Sequence, residues 1–557
     1  MLRALPGGAR PWPIVATALV VGALALLVLP VIAGVRAELV TVAGAALLGA
    51  AVFRERVFRW RSLIALQLLV ILFIPIRRYI LPGHLPFQLE PYRIGVALLV
   101  AAWFTSMLID PRVRFRRTGL EGPLLLYLVA VFGSILLNGA RITPGEVDSN
   151  VIKSVTFQLS FVLLAYVLVS VIRHQQDVVF LLKFLVIGGA IIAILAVIES
   201  RTQFNPFNHL SSYIPFLKWN QGVAPPERVG KFRAYGPAEH PIALSAMLAM
   251  MVPLAAYFAL TLRRKRWWIV MAILVTGCLA TVSRTGVLVL LAEAVMFAVL
   301  RPKMMRKAWI AVIPLLAAVH IALPGTLGTL KQSFFPKGGL IQQQQGSFGQ
   351  GRFGPKRLDP TFAQIHSAPL FGVGYGTRVT GHGPGVNAQT LDDQWLDTAL
   401  DTGFVGIAAW IWLLVRLIRR LSREARGDLS DRGWLLTALA ACVLGFSVSM
   451  LTYDAFSFIQ VTLIFYILMA LASSLLAVPQ RSAVRMPAVI EQRRYTLSTG
   501  ATGAALLYIA LALVLFVFFQ GPSVRFLVLV LTLVTLGARW IERSLDRSWK
   551  LPLAGGP

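Results

Sequence analysis

The sequence predicts an all-α polytopic membrane protein with about 12–16 transmembrane helices and two long extracytoplasmic loops. Three observations carry that reading. Hydrophobic residues make up 57% of the 557 positions and charged residues only 14%, where a soluble globular protein carries about 25% charged. The mean hydropathy is +0.73. The basic residues, finally, recur at intervals between long apolar runs instead of being scattered. A soluble chain of this length would form roughly three or four domains, but there is too little charge to coat several water-facing surfaces. Disorder is excluded as well, since its signature is low hydrophobicity.

A helix needs about twenty apolar residues to span the hydrocarbon core. Sixteen candidate stretches lie near 13–35, 38–53, 62–76, 93–109, 122–138, 153–172, 178–198, 241–262, 267–283, 286–300, 308–324, 396–415, 433–452, 456–478, 502–519 and 524–538. Basic runs follow every second stretch: Arg54 to Arg61, Arg112 to Arg117, Arg173, Arg263 to Arg266, Arg301 to Lys307, Arg416 to Arg432, Arg481 to Arg494 and Arg539 to Lys550. With the termini these loops hold about 33 of the 53 basic residues, as the positive-inside rule requires of cytoplasmic loops. Both termini are therefore expected in the cytoplasm of a bacterial inner membrane, with Arg77-Arg78 as the exception on the outer side.

The first stretch follows Arg3 and Arg10 but is about twice the length of a signal core. Its cleavage-like site, Val35-Arg36-Ala37, is poor, so an uncleaved anchor is expected. The chain divides into N-terminal helices over 1–150, a core over 151–480, and a cytoplasmic linker with two helices over 481–557. The net charge of +29 is then mostly topological. Nucleic-acid binding would want a basic patch interleaved with aromatics on a soluble face, and none is seen. Cys278 and Cys442 sit inside apolar stretches without metal or disulfide spacing.

Two outer connections, about 199–240 and 325–395, are long and rich in Gly, Pro, Gln and aromatics. Long loops in compact proteins are functional or disordered, and Gln342–Gln345 with its glycines reads as a flexible tract.

Three elements carry possible chemistry. Val282-Ser283-Arg284-Thr285-Gly286 places an arginine between two apolar stretches, which is costly without a partner or a wet cavity. A guanidinium fork suits phosphate oxygens; the alternative is an arginine that snorkels and ends a helix. Arg233-Ala234-Tyr235-Gly236-Pro237-Ala238-Glu239-His240-Pro241 enters the eighth stretch, and Pro241 suits a first helical turn. The helix N-terminus would favour an anion, with Arg233 adding charge and His240 able to exchange a proton; alternatively His240 only caps the helix.

The third element is Pro369-Leu370-Phe371-Gly372-Val373-Gly374-Tyr375-Gly376-Thr377 with Asp392-Asp393-Gln394-Trp395-Leu396 and Thr402-Gly403. No βαβ pattern precedes these glycines, so a dinucleotide fingerprint is rejected; they are expected to let backbone N–H groups approach an anionic head group. Asp392 or Asp393 could act as a general base, or both could be helix N-terminal charges. Glu293 and Lys183 could mark an ion path, but a structural pair or interfacial placement is favoured; His320 reads as a packed helix residue, and His366 stays open.

In this order and on one face, these elements resemble the O-antigen ligase and O-antigen polymerase superfamily, over about 150–460. The resemblance implies a membrane-embedded, inverting glycosyltransferase-like enzyme that moves a glycan from polyprenyl pyrophosphate to an acceptor glycan or lipid on the outer face. It assigns Arg233 and Arg284 to the donor pyrophosphate, with Arg352 and Arg378 as looser candidates from the same loop. Tyr375 is a further substrate-binding candidate, and Asp392, Asp393 and His240 are the catalytic candidates by their shared face and titratable chemistry. Ligases place a His-Asn pair where this chain reads Asp392-Asp393, so the catalytic histidine does not carry over and a polymerase is favoured. Arginines suit the charge that develops on a departing pyrophosphate, and a side-chain base suffices for the acceptor proton. No metal and no cofactor is called for, and the partners are the lipid-linked glycan, its acceptor and membrane lipid. A transporter of lipid-linked glycans or small anions is the rival reading; internal repeats and broken midplane helices would favour it.

Overall fold

A computed structural model describes residues 59–477, apart from 82–88, 110–112, 114, 143–144, 215–216, 223–225, 229, 263, 309, 311, 336–353 and 381–385. The chain forms two compact units. One comprises Met1–Ser62, Ser211–Leu217 and Arg493–Pro557 and lies largely outside the described residues. The other, Leu63–Leu210 with Lys218–Gln492, holds the elements that follow. The stretches near 13–35, 38–53, 502–519 and 524–538 lie outside the described residues. Each of the other twelve is helical.

Among the described residues the α-helices of nine residues or more are α1 (Trp60–Phe73), α2 (Pro91–Ile109), α3 (Glu121–Leu137), α4 (Glu146–Val171), α5 (Gln175–Thr202), α6 (Pro241–Leu262), α7 (Lys265–Ala280), α8 (Arg284–Leu300), α9 (Val312–Ala322), α10 (Thr326–Phe334), α11 (Pro355–Ser367), α12 (Gln394–Ala425), α13 (Asp431–Ser449) and α14 (Ile459–Leu476). Among the described residues, α4, α5, α6, α12, α13 and α14 are each long and apolar enough to cross a membrane, while α1, α2 and α3 are shorter apolar helices. Among the described residues, strands are confined to two small antiparallel pairs, β1 (Tyr79–Ile80) with β2 (Lys218–Trp219) and β3 (Glu227–Arg228) with β4 (Lys231–Phe232). The molecule is a polytopic all-α membrane protein.

A helix that is apolar all round is a core helix, and α6 and α14 are the two enclosed most completely. α6 packs against α5, α7, α8, α13 and α14. Its N-terminus therefore opens in the middle of one end of the bundle, and the loop that enters it is held among several helix ends.

Two helices break. The stretch near 308–324 reads in sequence as a plain span, but the chain bends by 108° between α9 and α10. Pro324 and Gly325, with a left-handed φ of 78°, make the elbow. Cations hold its carbonyls, as suits a helix C-terminus: Arg201 Nε donates to Ala322 O at 3.0 Å and Lys231 Nζ to Pro324 O at 2.7 Å. α12 is interrupted at Gly403 (φ 64°, ψ −164°). There the Pro369–Gly376 segment docks onto it, with Val373 N donating to Leu400 O at 2.7 Å and Phe404 N to Pro369 O at 2.8 Å.

Candidate functional site

The loop between α5 and α6 is built around two buried charges. The Glu199 carboxylate, at the end of α5, accepts from Gly236 N at 2.8 Å and Asn205 Nδ2 at 3.0 Å. The Arg78 guanidinium donates to Asn208 Oδ1 at 3.0 Å and to Ala238 O, and stacks over the Tyr235 ring. Burial pulls its pKa below the usual arginine range. Together they fix Tyr235–Ala238, so that Glu239 and His240 arrive at the first turn of α6.

Next to this loop lies the Thr281–Arg284 turn that starts α8. Val282 is fully buried with φ 48°. Left-handed backbone is a genuine outlier for a β-branched residue, and such strain concentrates at functional positions. Three arginines converge on the turn. Arg233, 4% exposed, donates from Nε to Thr281 O at 3.0 Å. Arg228 Nη1 reaches Val282 O at 3.3 Å. Arg284 itself is half-buried, and its Nη1 donates to Ser333 O of α10 at 3.1 Å. One residue on, the Thr285 and Thr452 hydroxyls bond at 2.8 Å, tying the turn to the connection between α13 and α14. The structure thus joins the predicted residues Arg233 and Arg284 and adds Arg228.

The other predicted residues are distributed more widely. His240 Nδ1 accepts from Ile242 N at 3.2 Å, the helix-capping geometry. Asp393 is the N-cap of α12, its Oδ1 accepting from Trp395 N at 2.9 Å and Leu396 N at 3.1 Å. Asp392 precedes it in left-handed backbone, φ 53°. Arg378 is engaged by α12, with Nη1 at 2.7 Å from Asp397 Oδ1 and 3.7 Å from Asp401 Oδ1. Tyr375 is buried, with its N–H on Ser134 Oγ at 2.9 Å. Burial, reinforced by Asp401, raises its phenol well above the ordinary value. Arg352 lies outside the described residues. Gly372 lies against helix backbone, where a Cβ would stand 2.2 Å from Leu400 O, whereas Gly374 faces the Thr377 side chain.

Three groups at this end escape a local reading. Arg77, in left-handed backbone (φ 65°), donates from Nη2 to Ser457 O at 3.0 Å and sits 3.6 Å from Glu239 Oε2. Glu239 holds that guanidinium above its ordinary pKa. Burial pushes the Glu239 carboxyl up to about 7 against the pull of Arg77. Asp454, between α13 and α14, is also pushed up to about 7, by burial and then by the Asp397 and Asp392 carboxylates. The available signals were the outward placement of Arg77-Arg78 and an acid next to the helix-entering proline; nothing local marks Asp454.

The charges inside the bundle are not a pair. Lys183 Nζ lies over the Phe258 ring, 5.8 Å from its centroid, whereas Glu293 is buried against Gly445 and makes no hydrogen bond among the described residues. His320 is exposed on α9 instead of packed, and His366 is exposed on α11.

Residues 269–411 match the family model described as O-antigen ligase. The match runs from α7 into α12 and takes in Arg284, Tyr375, Arg378, Asp392 and Asp393, leaving Arg77, Arg233, Glu239 and His240 outside it. The comparison with curated proteins gives no match. That match supports membership of the O-antigen ligase and polymerase superfamily.

Proposed function

From a membrane protein carrying an O-antigen ligase domain, we propose an inverting glycan transfer from a polyprenyl-pyrophosphate donor, on the outer face of the bacterial cytoplasmic membrane, to an acceptor glycan or lipid. The observation that carries the reading is the meeting of Arg228 and Arg233 on the strained turn that carries Arg284 at the N-terminus of a helix. Guanidinium forks and helix-end amides suit a pyrophosphate. Preorganised donors do most for a reaction when they face the charge that develops in it, here the oxygen of the leaving pyrophosphate. The acceptor hydroxyl attacks the anomeric carbon from the opposite side. Its proton needs a base at the same end of the bundle, where Asp392, Asp393 and His240 are joined by Glu239 and Asp454. Asp392-Asp393 in place of a His-Asn pair leans the reading towards a polymerase.

The α9–α10 elbow favours a second reading, because broken spans are a transporter device. Reconstitution separates the two. Proteoliposomes holding the full chain, labelled polyprenyl-pyrophosphate oligosaccharide and native lipid extract should yield extended or transferred glycan. Movement of the intact donor across the bilayer without new glycosidic bonds would overturn transfer in favour of transport.

A further inference from the structure

We propose that Glu239 is the proton acceptor of the transfer, held for that role by Arg77; the inference rests on the transfer reading above. The Glu239 side chain is 9% exposed, yet neither carboxylate oxygen has a hydrogen-bond partner among the described residues. Buried polar groups are almost always bonded, and an exception calls for an explanation. The same loop supplies a control. Glu199, still more deeply buried, has oxygens that take Gly236 N, Tyr235 N and Asn205 Nδ2. That is a carboxylate used as a structural acceptor. Glu239 is not used in this way.

The cations nearest Glu239 are directed elsewhere. Arg78 spends both terminal nitrogens on Asn208 and Ala238 O. Arg77 gives Nη2 to Ser457 O, and its Nη1 stands 3.6 Å from Glu239 Oε2, close enough for charge but beyond a hydrogen bond. The carboxylate therefore keeps its lone pairs while an adjacent positive charge fixes its place. The Arg77 side chain, 35% exposed, opens the cluster to the surface. Glu239 is also six residues along the chain from Arg233, so the base and the arginine turn are set by one segment. Its backbone is pinned on both sides, by the hydrogen bond to Ala238 O before it and by the cap at His240 after it.

The step balances without a further reagent. The acceptor hydroxyl gives its proton to Glu239 Oε as its oxygen bonds the anomeric carbon. The bond from that carbon to the pyrophosphate oxygen breaks, and its electron pair leaves with the pyrophosphate, facing Arg228, Arg233 and Arg284. Glu239 then returns the proton to solvent through the side open at Arg77. The groups facing Glu239 are Arg77 and Arg78 from the turn after α1, Glu90, which is paired with Arg93 at 2.8 Å, and Lys153 of α4. A base that titrates near neutrality in this setting should give an acid limb to the rate around pH 7.

The test uses the full chain in proteoliposomes with the labelled donor and native lipid extract. Glu239→Gln keeps the shape and removes the base. Turnover should fall about 10²–10⁴-fold, with donor affinity and the unfolding temperature in detergent unchanged and the acid limb gone from the residual rate. Glu239→Asp should recover part of the turnover together with that limb. Wild-type turnover in Glu239→Gln would overturn the assignment while leaving transfer intact, and so would a loss of donor affinity or of folding in step with the rate. If the wild-type chain binds the donor and never forms a glycosidic bond, transfer itself fails, and that outcome is visible before any Glu239 variant is made.

Discussion

At the Thr281–Arg284 turn, side chains do the work: Arg228 and Arg233 hold carbonyls of a buried, strained backbone, and Arg284, which the turn carries, reaches across to Ser333 O. Where Pro369–Gly376 docks onto α12, backbone meets backbone. Val373 N donates to Leu400 O and Phe404 N to Pro369 O across the contact, and Gly372 and Gly403 leave room for it, both in left-handed backbone. Both regions lie within the O-antigen ligase match, and both are motifs of the same kind when written as letters. On the proposed reading the two divide into a motif that meets a substrate and one that holds the scaffold in place. Substitution in the first should change rate without stability. Substitution in the second should change rate only through stability.

The largest effect is expected at the glycine contact. A Cβ on Gly403 would lie 2.3 Å from Leu370 O, at a φ of 64°. Left-handed strain and overpacking together should cost Gly403→Ala about 2–5 kcal/mol. The unfolding temperature and the yield of folded protein in detergent should fall together, with transfer falling in proportion to the folded fraction. A stable but inactive Gly403→Ala would place this contact with the arginine turn instead. Next in size is Arg284→Ala. Removing one preorganised donor costs about 10²–10³ in rate, and here the unfolding temperature should hold. Arg284→Lys keeps the charge but loses the fork, so it should also be poor. Full transfer in the lysine variant would show that a point charge is enough.

Asp393 tests the boundary between the two classes. As the N-cap of α12 it accepts from two amides, and Asp393→Ala should lose about 1 kcal/mol of stability. Asn caps as well as Asp, so Asp393→Asn should keep both stability and transfer. Slow transfer in a fully stable asparagine variant would return Asp393 to the catalytic set.

How far the sequence could be read follows the same division. Periodicity and charge alternation located the helices, because hydropathy is a local property; the stretch expected at 241–262 is α6 residue for residue. The arginine turn was legible since an arginine between apolar runs is costly wherever it falls. The elbow after α9 was not, because an apolar run reads the same whether it continues or turns back at Pro324-Gly325. Nor was the base site: Arg78 meets Ala238 across 160 residues, and Arg77 meets Ser457 across 380. No local pattern encodes such a meeting. Arg77-Arg78 was visible only as a charge on the unexpected side of the membrane.

The smallest expected effect sharpens the comparison from its quiet side. Gly328, on α10, is exposed, and a Cβ added there would meet nothing within 4 Å. It is neither in left-handed backbone nor at a close approach, so it belongs to neither class. Alanine is the better helix former by about 0.5–1 kcal/mol, and Gly328→Ala should raise the unfolding temperature slightly with transfer unchanged. α10 nevertheless carries Ser333, whose carbonyl accepts from Arg284. If the stiffened helix is more stable and transfers more slowly, then α10 has to flex while Arg284 changes partner from Ser333 to the donor pyrophosphate, and the elbow would join the arginine turn as part of the working site.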